Sequence, residues 1–397
     1  MEARAPSRLP FLIIACATAI GIAGTDLVLP AVPSLPRALD GTAEHAQFVL
    51  SAFTGGAAIG LLLFGELGAR IDQRRLLLGS LTVYGLASLT CAFSNSLSTL
   101  IILRFMQGAA GAAAAVFAPG MLRSIYGEAR AVRALGALGS IEALAPALAP
   151  IAGAGLLIIW DWRASFHLLA GLALGLAVLI GWRMDLLPAR STPQSSGSYL
   201  LLLYNRAFLG HSLGYAFTLG GLLVFVFGAP SVFVNILGLG LGTFVAMQCC
   251  GILCFAVAAN LAGRLCEQLG AMKLIWLGSA MACAGAIALL GYGLAGGTQS
   301  AVIVSLFTVL NTGLGLRGAP GFHAALQASG GDDTRSSALI VLAILATASL
   351  GTALVAPFIS LGLSAIAGGA VLCTLLGLFA LSVVPGSVRE TSSGTRP

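Results

Sequence analysis

Charge is what this sequence has least of. Asp, Glu, Lys and Arg make up 9% of its 397 residues, against 58% hydrophobic ones, where a soluble chain carries roughly a quarter charged. With a mean hydropathy of +0.99, the composition excludes a soluble globular protein. Ten-residue alternating segments are also missing, and the apolar runs are long and continuous, so the expectation is membrane-spanning helices and not a β-barrel. No nucleophile–base or metal-ligand constellation stands out within those runs, so neither an intramembrane enzyme nor a metal site is expected. There is no P-loop for ATP, and no cofactor is expected. The eight cysteines fall within apolar runs or, for Cys266, in a loop on the cytoplasmic side, so they read as small packing residues and not as disulfides. Gly313, Gly315 and Gly318 spell GxGxxG, but inside an apolar helix with no strand before them, which favours close packing over nucleotide binding.

What is present is a repeated unit of about 20 apolar residues, the length that crosses a bilayer as a helix. Spans are expected near 10–33, 46–66, 76–95, 98–122, 134–158, 164–186, 204–228, 239–263, 273–294, 299–324, 336–359 and 363–385. The first is expected to be retained and not cleaved as a signal peptide, because its apolar part is too long. Twelve spans sort the basic residues to one side. With the N-terminus in the cytoplasm, that side holds Arg4, Arg8, Arg70, Arg74, Arg75, Arg123, Arg130, Arg133, Arg183, Arg190, Arg206, Arg264, Lys273, Arg335, Arg389 and Arg396, and the other only Arg37 and Arg163. Both termini are therefore expected inside. The net charge of +6 is a topology signal and needs no nucleic-acid partner.

Residues 187–203 contain the one long polar stretch, LPARSTPQSSGSYL from 187 to 200, which reads as a flexible cytoplasmic linker. It separates an N-terminal six-helix bundle, 1–186, from a C-terminal one, 204–397, that ends in a short tail. This is an all-α membrane architecture of two pseudo-symmetric bundles, the layout of transporters that rock about a midplane site. Glycine pairs such as Gly56 with Gly60 and Gly210 with Gly214 suit close helix approach where lipid gives no hydrophobic drive.

Four charges are stranded within the spans: Asp26, Arg104, Glu142 and Arg317. Each costs several kcal/mol unless paired or hydrated, which makes each a candidate functional residue. Counting ~1.5 Å per residue puts Asp26 and Arg104 at one depth, roughly 10 Å below the external surface. Glu142 and Arg317 share a second depth nearer the cytoplasm. Either couple reads as an ion pair or as a coupling site. Prolines 30, 33 and 36 follow Asp26 and are expected to break the helix there, which is tolerated beside a cavity or protein. His167 and His211 read as interfacial or packed residues and not as proton relays; His45 and His323 lie near loops. Tyr215 and Phe217 are candidate substrate-lining aromatics.

Six segments carry a resemblance to the major facilitator superfamily and, within it, to drug/proton antiporters of the bicyclomycin and chloramphenicol resistance type. TDLVLPAVPSLP (25–36) resembles that group's first-helix signature. GELGARIDQRRLLLG (65–79) resembles the superfamily loop between helices two and three, and LIILRFMQGAAGAAAA (100–115) the fourth-helix motif. APALAPIAGAGLL (145–157) is similar to the fifth-helix antiporter motif, WDWRASFHLLAGL (160–172) to the start of helix six, and FGAPSVFVNILGLGLGTF (227–244) to the span seven-to-eight segment. The resemblance implies alternating access in the inner (plasma) membrane, with proton entry driving export of a small amphipathic compound by a monomer.

It further implies that Asp26 takes the proton or recognises substrate while Arg104 tunes it. Gly65, Arg70 and Arg74 would form a cytoplasmic gate, Pro150 and Gly153 would mark a bend in helix five, and Gln107 would line the substrate path. The loop departs from the motif at Ala69, where an acid is usual, and at Asp72, which stands three residues on and is a candidate substitute. Glu142 and Arg317 have no counterpart in the pattern; a replacement latch is the favoured reading, an anion site the other. The alternatives to drug export are a metabolite or anion symporter or exporter on the same fold, and a transport-inactive homologue serving as sensor or assembly factor.

Overall fold

The computed structural model describes residues 9–188, 199–330 and 333–384. Twelve helices in it are long and apolar enough to cross a membrane, and the described residues contain no strand. We number the helices α1 (Leu9–Asp26), α2 (Ala43–Arg70), α3 (Gln73–Ala92), α4 (Leu97–Tyr126), α5 (Glu128–Ile159), α6 (Arg163–Trp182), α7 (Arg206–Ser231), α8 (Leu241–Leu269), α9 (Ala271–Leu294), α10 (Ser300–Ala328), α11 (Asp333–Val355) and α12 (Leu363–Ser382). Each expected span coincides with one of them. Their starts carry ordinary capping chemistry. Thr42, Asp72, Ser96 and Asn205 each accept a backbone N–H of the following turn. Gly127, at φ +69°, ends α4 and begins α5 in a conformation that a side chain would resist.

The expected ends differ where charge density misleads. The sixth span was expected to reach residue 186, but α6 stops at Trp182 and a short 3₁₀ turn, Met184–Leu186, follows. Conversely α8 and α10 run on to Leu269 and Ala328, because helix persists past the apolar run once its hydrogen bonds are in register.

The chain divides into two compact units, Met1–Gln194 and Ser195–Pro397. Within the first, α1 packs on α4 and α5, α2 on α4, and α3 on α4 and α6. Within the second, α7 packs on α10 and α11, α8 on α10, and α9 on α10 and α12. The two lists are the same under a shift of six helices, so each unit repeats one packing scheme. Close approach uses the glycines singled out by sequence: a Cβ on Gly56 would lie 2.1 Å from the Phe105 carbonyl oxygen, and one on Gly60 2.2 Å from that of Ala109. Gly313 and Gly315 sit mid-helix in α10 against α9 and α8 in the same way, a packing role.

Of the linker, residues 189–198 lie outside the described residues, as do Arg4, Arg8, Arg190, Arg389 and Arg396. Tyr199–Tyr204, expected as linker, is instead a short helix. Its Leu202 packs into an apolar cluster with Phe208, Ala325 and Ile340.

Candidate functional site

α1 ends at Asp26. Pro30 has no N–H to return to the Asp26 carbonyl, and the chain continues as a 3₁₀ segment, Leu29–Ser34, containing Pro33. The freed acceptors are met by side chains. The Gly24 carbonyl loses its i+4 partner, because the Val28 N–H bonds Thr25 instead, and Arg104 on α4 supplies the replacement: Nη1 donates to it at 2.8 Å. The Leu27 carbonyl accepts Ser165 Oγ of α6 at 3.2 Å. Gly153 on α5 lies against that same carbonyl, where an added Cβ would come within 2.1 Å. A cation at the C-terminal end of a helix is also favoured by the helix dipole.

Arg104 is fully buried. Besides Gly24 it donates from Nε to the Val49 carbonyl at 3.3 Å and from Nη1 to Gln107 Oε1 at 2.7 Å. Its guanidinium carbon lies 4.2 Å from the centre of the Phe53 ring, a cation–π contact. Gln107 Nε2 then donates to Ser88 Oγ at 2.6 Å, and Ser88 Oγ to the Tyr84 carbonyl at 2.7 Å. The Tyr84 hydroxyl donates to the Ile20 carbonyl at 3.1 Å. α1, α3 and α4 are joined by one buried polar chain. Gln107, expected to line the substrate path, is a fully buried bridge within it.

Asp26 is brought to the same turn of α1 but into none of these bonds. Its side chain forms no ion pair with Arg104: the ion pairs among the described residues are Arg70–Glu66, Arg74–Asp72, Arg163–Asp161 and Arg183–Asp185. The direct pair expected from their depths does not form: Nε and Nη1 go to the Val49 and Gly24 carbonyls and to Gln107, partners that no sequence letter announces, and Nη2 is left unpartnered.

Arg317 on α10 is buried, 1% exposed. Its Nη1 donates to the Gly214 carbonyl of α7 at 2.6 Å and to Thr218 Oγ1. The Tyr215 ring lies 5.4 Å from its guanidinium carbon and meets Phe322 edge-on at 5.8 Å. Phe217, two residues on, points about 200° around the helix from Tyr215 and belongs to another face. Glu142 is half-buried on α5 and has no ion-pair partner within its own unit. Pro146, four residues after it, has no N–H for its carbonyl. α5 continues helically through both Pro146 and Pro150.

The loop residues form a local cluster. Arg70 bonds Glu66 at 2.5 Å on an exposed helix face. Asp72 caps α3 by accepting the Arg74 N–H at 2.9 Å and binds the Arg74 guanidinium at 3.0 Å. These hydrogen bonds hold the Asp72 carboxyl below the usual range. Arg74 also reaches the Met184 carbonyl at 3.5 Å. Gly65 sits partly exposed in α2.

His211, read from sequence as a packed or interfacial residue, is buried on α7 one turn before Tyr215 with Nδ1 unpartnered; Ser165 was passed over. A readable signal existed for Gly321 beside Arg317: Leu-Arg followed by glycine four residues after the arginine occurs on the fourth helix of both units, at Leu103–Arg104…Gly108 and Leu316–Arg317…Gly321.

Two units that repeat one packing scheme of six helices each are the architecture of a secondary transporter. Residues 14–353 match the Major Facilitator Superfamily, and the chain belongs to that family as a multi-pass membrane protein. An uncharacterized MFS-type transporter of Bacillus subtilis is 27% identical over 85% of each chain. The chloramphenicol resistance protein of Pseudomonas aeruginosa is 32% identical over 67% of this chain and 64% of its own length. A bicyclomycin resistance protein homologue of Haemophilus influenzae is 27% identical over 64% of this chain and 65% of its own. The fold is similar to that of a bacterial homologue of the human lysosomal transporter Spinster, with TM-score 0.73 at 12% identity over 96% of this chain and 97% of that one.

Proposed function

We propose that the chain is a proton-coupled antiporter of the inner membrane that exports a small amphipathic compound by alternating access, with both termini cytoplasmic. The observation that carries this reading is Asp26: a carboxyl at the break in α1, without an ion-pair partner and beside the Arg104 clamp. Its protonation state is left to solvent and ligand, as a coupling group requires. The resistance functions printed in the relatives' names support a drug-like substrate. One proton entering down a 100 mV potential supplies about 2.3 kcal/mol, a several-tens-fold concentration ratio.

Purified protein in liposomes with a trapped pH dye tests it. Adding compounds should trigger proton movement in the wild type and none in Asp26→Asn. Movement that survives in the variant removes Asp26 from the coupling step, and no movement with any compound in folded protein sinks coupled transport itself.

A further inference from the structure

We propose that the second unit carries its own acid-recognition point, in which the Nε–Nη2 edge of Arg317 receives a carboxylate of the transported compound. The substrate is then an amphipathic organic anion. This deepens the transport reading and rests on it for the word substrate; the binding site stands on geometry alone.

A guanidinium has one edge on which Nε–H and an Nη–H run parallel and match the two oxygens of a carboxylate. In Arg317 the anchoring bonds to Gly214 and Thr218 both use Nη1, and the two buried donors left without a partner are Nε and Nη2, the pair that forms that edge. Buried donors without acceptors are rare and call for a reason. No acid on α7–α10 neutralises it: residues 206–328 contain one, Glu267, and it lies exposed near the end of α8.

The residue that faces this edge is glycine. A Cβ on Gly321 would sit 3.3 Å from Nη2, 3.5 Å from Nε and 3.4 Å from Cδ2 of Tyr215, so a side chain there would crowd Nη2 and cover Nε. The Tyr215 ring supplies an apolar wall. His211, on the same face of α7 as Gly214 and Thr218, adds a third unpartnered buried polar atom, Nδ1, close enough for its charge and that of Arg317 to interact. A cation anchored on one side, open on its bidentate edge and flanked by an aromatic ring is what an aryl or alkyl carboxylate needs.

The test is calorimetric titration of the full chain in nanodiscs with benzoate, 2-naphthoate and decanoate, each against its own carboxamide. At least one acid should bind about tenfold tighter than its amide. Arg317→Lys keeps the charge but loses the fork, and Gly321→Ala fills the slot; both should bring the ratio to about 1. Thermal unfolding confirms that each variant is folded. Acid and amide binding alike, no acid binding at all, or a ratio that survives in both variants overturns the proposal, the first being the result if water alone satisfies the edge. The same protein in liposomes separates the two readings. Acid preference without any proton movement supports the site and sinks coupled export; proton movement with neutral or cationic compounds only does the reverse.

Discussion

Arg104 and Arg317 stand on the fourth helix of their units, each donates Nη1 to a glycine carbonyl on that unit's first helix, and each is followed four residues on by glycine. Beyond that their surroundings diverge. Arg104 meets the frayed end of α1, adds bonds to Val49 and Gln107 and lies over Phe53. One prong of its bidentate edge, Nε, is already occupied. Arg317 grips α7 in mid-helix, where the backbone has no missing partners, and leaves both prongs free. The glycines differ too: a Cβ on Gly108 would strike the Phe53 carbonyl at 2.0 Å, whereas one on Gly321 would meet the guanidinium itself. One repeated motif thus builds a structural clamp in the first unit and an open donor edge in the second.

The contrast breaks most sharply under alanine. Arg104→Ala strands the Gly24 carbonyl and Gln107 Oε1 in a buried place, at a cost of about 3 kcal/mol or more, and should lower the midpoint of thermal unfolding in detergent by the largest amount of any single change considered. Arg317→Ala removes a residue whose edge was never satisfied. Its unfolding midpoint should fall by less than half as much, while carboxylate binding disappears. Equal losses of stability would mean that both arginines are clamps.

Gly153→Ala sharpens the same point from the other side of α1. Its Cβ would overlap the Leu27 carbonyl, so α5 or the 3₁₀ segment must move, costing about 1–3 kcal/mol. Because that segment follows Asp26 directly, proton-coupled movement should fall with it, and carboxylate binding at Arg317 should not. A loss of both would tie the two regions together energetically.

How much of this was legible follows from what a sequence letter can carry. The twelve spans were legible because apolar run length is a one-dimensional property. The stranded charges were legible because a charge in such a run is conspicuous. The partners of those charges were not. Gln107 was assigned to a substrate path by the fourth-helix resemblance, but Arg104 and Ser88 use both ends of its amide. Asp26 and Arg104 were matched in depth, and depth does not reveal that the guanidinium bonds backbone carbonyls and Gln107 and not the acid. His211 was set aside because a lone histidine is usually packed; its meaning appears only when the free edge of Arg317 is seen beside it. The repeat of Leu-Arg with glycine four residues on was readable, and would have flagged Gly321.

The smallest predicted effect concerns a charge pair that is complete within one loop, the opposite of Arg317. Asp72 caps α3 and binds Arg74, and Asp72→Ala should cost about 1 kcal/mol, the usual loss when an N-cap is removed. The sign of its pH dependence follows from the lowered Asp72 pKa. A carboxyl whose folded pKa lies below the ordinary value of about 4 contributes its stabilisation fully above that value and loses it as pH falls through the folded one. Unfolding midpoints of wild type and Asp72→Ala, measured from neutral pH downward, should therefore run parallel to about pH 4 and converge below it. A gap that stays constant into acid would mean that Asp72 acts through the neutral hydrogen bonds of the cap and not through its charge, leaving Arg74 to be held by the Met184 carbonyl alone.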